Sequence, residues 1–170
     1  MISSQEFKKY FDFAYSAYQE NNITDQSMRQ EGKVPYIFHP LWAAISLMTD
    51  TQIPYEEREK GFKILILHDV LEDTSLELPS WVPQDIQQGV EELTFKDWDD
   101  AKQAIPSKST FIKLLLLYDS LSSMYELHVS ERKKHWWKEK VISLTNEVQA
   151  HYGNIRAVQM GKAISENTDW

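Results

Sequence analysis

Apolar residues recur along this chain three and four positions apart and almost nowhere in sustained alternation, which restricts it to a fold built from helices. Phe7, Tyr10, Phe11, Ala14, Ala17 and Tyr18 form one such stripe over 4–19. A second helix is expected through Trp42, Ala43, Ala44, Ile45 and Met48. Pro40 falls in its first turn, where a missing N–H costs nothing. A third spans about 55–72 and opens on Glu56 and Glu57, favourable at a helix N-terminus. Pro79 and Pro83 bracket a turn, 84–94 reads as a short amphipathic helix, and 95–108 as a loop or irregular connection. A long apolar helix over 110–127 follows. Then comes a charged one over 131–151, stopped by His151–Gly153, and a last short helix over 154–165. The longest loop is expected at 21–33. The fold class is all-α, with one domain over 1–170.

Composition narrows what such a bundle does. Hydrophobic residues make up 42% and charged residues 26%, enough apolar side chains for a real core. The absence of Cys excludes disulfides, thiolate metal sites and cysteine nucleophiles. A formal charge of −8 opposes non-specific nucleic-acid binding, which needs cations to displace counterions. No apolar run approaches the roughly 20 residues of a membrane span. The start, MISSQEFKKYF, lacks a basic flank followed by an apolar segment, so a cytoplasmic location is expected. No pattern encodes an oligomeric state.

Three places break the apolar pattern. In ILILHDVLEDT, Glu72 lies four residues after His68 and three after Asp69, and Asp73 four after Asp69, so all four project from adjoining faces of one helix end. An ionised carboxylate leaving such a stripe costs several kcal/mol unless it is paired or binds a metal. The second place is His39, after Tyr36-Ile37-Phe38 and before Pro40. The third is Asp119 in KLLLLYDSLSSM, with no Lys or Arg three or four residues away, so a metal or another helix must supply the charge. Together His39, His68, Asp69 and Asp119 make a donor set suited to manganese, iron or zinc more than to calcium. Such an ion acidifies a bound water, which Glu72 and Asp73 are placed to orient or deprotonate.

The segments RQEGKVPYIFHP, LHDVLEDT and LLYDSL, with VEELT at 90–94, resemble the HD hydrolase domain of the RelA/SpoT alarmone enzymes. The likeness is to the free-standing small alarmone hydrolases, the metazoan SpoT homologue type, and covers most of the chain. It implies an HD-domain helical bundle around a single divalent metal, with His39, His68, Asp69 and Asp119 as ligands and Glu72 and Asp73 handling the attacking water. It also places Arg29 near the substrate base. The implied activity is manganese-dependent removal of the 3′-pyrophosphate of (p)ppGpp, returning GDP or GTP, with other phosphorylated nucleotides such as NADPH as further substrates. At 170 residues there is no room for the synthetase domain of the long enzymes.

The sequence also departs from that pattern. Thr24 stands where the family often has a His, one extra residue separates Gly32 from Pro35, and Asp119-Ser120-Leu121-Ser122-Ser123 replaces Asp-Lys/Arg-Leu-x-Asn. Two other readings are therefore carried: an HD nucleotidase or deoxynucleotide triphosphohydrolase, and a non-catalytic nucleotide-binding regulatory module. Lys33, Lys113 and the run Arg132-Lys133-Lys134-His135 are candidate phosphate-neutralising cations. Tyr36 is a candidate substrate contact or pocket wall, and Trp136 and Trp137 pack or stack a base. Ser120, Ser122 and Ser123 have no adjacent base, so a serine nucleophile is rejected.

Overall fold

The computed structural model describes residues 2–19, 28–29, 34–123 and 131–166, without the side chains of 28, 29 and 131–133. Among them run α1 (Ser4–Ala17), α2 (Phe38–Met48), α3 (Tyr55–Leu67), α4 (Val70–Asp73), α5 (Gln84–Leu93), α6 (Trp98–Ala104), α7 (Thr110–Ser123), α8 (Glu131–Tyr152) and α9 (Arg156–Glu166). The all-α expectation holds. The departure is one antiparallel pair of two-residue strands, β1 (Met28–Arg29) and β2 (Val34–Pro35), inside and just after the stretch read as loop.

The most apolar segments lie at the centre, as a helix hydrophobic on every side must. Ile64 to Leu67 of α3 and Leu114 to Tyr118 of α7 are fully buried, or within about one per cent of it. Helix α2 packs on both, α5 lies against α3, and α8 and α9 pack on α7 and on each other. At the α8–α9 crossing a β-carbon on Gly161 would sit 2.0 Å from Thr145 Oγ1, so only glycine permits that approach. Gly153, at φ 73, ends α8 where a helix stop is expected.

Two sequence readings are corrected. The helix expected over 55–72 is interrupted: α3 ends at Leu67, and Asp69, at ψ −5, flattens out of helical geometry before α4 begins. Nothing in the residue types of His68 or Asp69 forbids a continuous helix, so periodicity runs through the break. The connection at 95–108 contains α6, whose Asp97 side chain accepts from the amides of Asp99 and Asp100 at 3.0 and 2.9 Å. Seven residues carry too few apolar positions for a stripe, and the cap was the usable signal.

A buried carboxylate ties three elements together. Asp50, only 2% exposed, accepts from the Tyr118 hydroxyl at 2.8 Å and from the amide of Arg156, the first residue of α9, at 2.9 Å. Burial first, and then the Asp50 charge, push the Tyr118 phenol far above its ordinary range, so it stays a donor. Asp50→Ala leaves the buried Tyr118 hydroxyl and the partly buried Arg156 amide without their acceptor and is expected to cost about 3 kcal/mol. Thermal denaturation is expected to show this as a midpoint lowered by roughly 6–12 °C; a shift under 2 °C would mean that water replaces the carboxylate.

Candidate metal centre

The break after α3 is what builds the site. His68 closes α3 and Asp69 opens α4, so adjacent residues deliver an imidazole and a carboxylate to one recess. His39, in the first turn of α2, and Asp119, near the C-terminal end of α7, complete it. One ligand atom each from His39, His68 and Asp119 lie within 4.8 Å of one another. Asp119 Oδ1 is 3.0 Å from His39 Nε2 and 3.3 Å from His68 Nε2. Asp69 touches both imidazoles, Oδ1 at 2.9 Å from His68 Nε2 and Oδ2 at 3.6 Å from His39 Nε2.

The hydrogen bonds behind the ligands decide which way the rings face. His68 Nδ1 lies 2.6 Å from the Leu65 carbonyl, an oxygen that can only accept, so Nδ1 carries the proton. In its neutral form the ring then presents an Nε2 lone pair to two carboxylates. Among the described residues His68 Nε2 is buried with no hydrogen-bond partner, although two carboxylate oxygens stand within 3.3 Å of it. Lone pairs and anions that converge on one point repel unless a cation lies among them. That arrangement fits a divalent ion held by His39, His68, Asp69 and Asp119.

Charge effects agree with this. Burial alone would push His68 down and Asp119 up. The Asp69 and Asp119 charges instead hold His68 well above its ordinary value, and the two imidazoles with Lys140 hold Asp119 well below its own. The recess thus demands a positive charge, from a proton or from a metal.

Glu72 and Asp73 follow on α4 and occupy different settings. The Tyr36 hydroxyl contacts both Asp69 Oδ2, at 3.0 Å, and Asp73 Oδ2. Tyr36 is therefore buried between a proposed ligand and the second acid. Glu72 stays exposed at the rim, with Phe95 N 3.5 Å from its Oε2. Partial loss of hydration, then the Asp69 and Asp73 charges, push its carboxyl up to about 7.

Sequence reasoning did not single out Lys140. Its ammonium lies 3.6 Å from Asp119 Oδ2, so α8 supplies the charge that α7 lacks. Trp136, one turn before it on α8, has its ring 5.4 Å from that ammonium and 4.2 Å from Trp98 of α6, which is 41% exposed. The i,i+4 spacing of Trp136 and Lys140 was the available signal. Lys113 is not at the site: it is buried, donating to the Pro106 carbonyl and paired with Glu147. Trp137 is buried as packing. Lys33 and Thr24 lie outside the described residues, and of Arg29, Arg132 and Lys133 only the backbone is described. The expectation that no base adjoins the serines after Asp119 is corrected. Ser122 does have a base beside it, His39 Nδ1 at 2.5 Å, but it is buried and donates its own proton to the Asp119 carbonyl at 2.9 Å.

No protein-family model matches the chain, and no curated protein does. Among solved structures it is similar to that of a metazoan ortholog of SpoT that hydrolyzes ppGpp and plays a role in starvation responses. The TM-score is 0.72 at 17% identity, over 96% of this chain and 96% of that one. The chain therefore shares the helical fold of that protein, as its motifs lead one to expect. No helix among the described residues is long and apolar enough to cross a membrane.

Proposed function

We propose that this chain, built on the fold of a ppGpp-hydrolysing protein, is a metal-dependent phosphohydrolase that removes the 3′-pyrophosphate of (p)ppGpp. The observation that carries the reading is the convergence of two imidazole lone pairs on the Asp69 and Asp119 carboxylates, with Glu72 at the rim. Manganese fits the donors best, with iron or zinc as alternatives. When bound, the ion supplies Lewis-acid polarisation of the phosphate and of water.

The residues divide the remaining work. Glu72 takes the proton of the attacking water as the water oxygen bonds to the 3′ phosphorus; the bond from that phosphorus to O3′ breaks, O3′ takes a proton from a solvent water, and pyrophosphate is released. Asp73 and Tyr36 form the fixed wall beside Glu72. Arg29, Lys33 and Lys140 neutralise phosphate charge. Trp98 and Trp136 offer a ring surface reached from Asp119 through Lys140, which suits a nucleobase. Trp98→Ala is expected to raise KM about ten-fold, the cost of one lost base stack, at unchanged kcat. An unchanged KM for the nucleotide would remove Trp98 from the substrate path.

Product analysis with Mn2+ and ppGpp, alongside NADPH and dGTP, tests the assignment, with Asp69→Ala as the blank. GDP and pyrophosphate from ppGpp, lost in the variant, are the expected result. Release of triphosphate from dGTP with ppGpp untouched would reassign the chain as a triphosphohydrolase. Turnover of none, with the ion confirmed in place, would leave a nucleotide-binding module.

A further inference from the structure

We infer that Ser122 is a positioning residue that fixes the tautomer of His39 and so aims its lone pair into the metal centre, an inference that rests on the metal-site reading above. Ser122 is three residues after Asp119 on α7, and its Oγ donates to the Asp119 carbonyl at 2.9 Å. A hydroxyl has one proton, and this one is used. The contact between Ser122 Oγ and His39 Nδ1, 2.5 Å, must then carry the imidazole's proton. His39 is thereby the Nδ1–H tautomer, and its Nε2 lone pair faces Asp119 Oδ1 at 3.0 Å.

The same turn of α7 thus supplies one ligand and sets another. His68 is oriented by the carbonyl of its own helix, Leu65, as any histidine at a helix end can be. His39 sits in the first turn of α2, where the backbone carbonyl on that side belongs to the partner helix and is already engaged by the serine. The serine relays that carbonyl's acceptor character to the ring. Orienting partners of this kind typically change metal affinity by 10–100-fold when removed.

The test compares wild type, Ser122→Ala and Ser122→Thr, each checked for intact helix content, by Mn2+ titration and by 15N–1H imidazole spectra of the metal-free protein at a pH high enough that the rings are neutral. Wild type is expected to show His39 as the Nδ1–H tautomer. Ser122→Ala is expected to bind Mn2+ at least ten-fold more weakly and to shift the tautomer ratio, and Ser122→Thr to restore both. Wild-type affinity and an unaltered His39 spectrum in Ser122→Ala would overturn the inference. If wild type itself binds no Mn2+, the metal reading fails, and the tautomer of His39 with and without the Ser122 hydroxyl still decides the serine's role.

Discussion

Asp119→Ala is expected to abolish measurable Mn2+ binding and to lower turnover by at least a thousand-fold, the largest effect of any single substitution in this chain. Asp119 Oδ1 is a single oxygen that faces both imidazoles, 3.0 and 3.3 Å away, whereas Asp69 meets them with different oxygens, so the loss of Asp119 removes the ligand atom that both rings share. The loss is also electrostatic. Lys140, its side chain only 11% exposed, would lie beside two histidines with no carboxylate from α7 to offset it. That repels the incoming cation as well as failing to hold it. Thermal denaturation separates binding from folding. Saturation at a hundred times Kd stabilises the native state by about 2.7 kcal/mol, which for a domain of this size raises the midpoint roughly 5–10 °C. Wild type is expected to show that rise with Mn2+ and Asp119→Ala none. A full rise in the variant would mean that the ion binds elsewhere. Because imidazole and carboxylate must shed protons to bind, the rise is expected to shrink as the solution is acidified.

How much of this was legible depends on what kind of signal each residue leaves. His39, His68, Asp69 and Asp119 each interrupt an apolar segment, and a polar group there needs a partner; four such demands in one small chain point to a shared answer. Ser122 and Lys140 leave no such mark. A serine or a lysine on a helix is ordinary, and their roles exist only because α7 and α8 bring them to the same recess; Tyr36 stands out in the sequence only through its place beside the His39 motif. Lys113 shows the converse. Its sequence setting beside the leucines of α7 suggested an available cation, but Glu147 from α8 takes it. The break at His68–Asp69 was hidden for a related reason. Residues 64–67 and 70 are all buried, so the apolar record is unbroken where the backbone turns. The strand pair at 28–29 and 34–35 is too short for alternation to appear.

Glu72→Gln is expected to lower kcat by 10²–10⁴, the usual range for loss of a general base, while Mn2+ affinity changes little. The choice between the two acids of α4 rests on where their oxygens are. Asp73 is engaged by the Tyr36 hydroxyl, which also holds Asp69, so moving it would disturb a ligand. Glu72 reaches the rim, where its hydrogen-bond contact among the described residues is a long one from the Phe95 amide, 3.5 Å. Its environment suits the task, since a carboxyl held at about 7 is a stronger base than one near 4.5. The sign follows. The base works only when ionised, so kcat is expected to fall as pH drops through an apparent pKa at or below about 7, the bound ion drawing the value downward. Glu72→Asp shortens the reach, and is expected to keep the acidic limb at reduced rate while Glu72→Gln loses it. Asp73→Asn is expected to act differently, weakening metal binding through Tyr36 and Asp69 before it touches the limb. A Glu72→Gln protein that retains a tenth or more of wild-type kcat, with the limb in place, would transfer the base role away from Glu72 and leave it an electrostatic one.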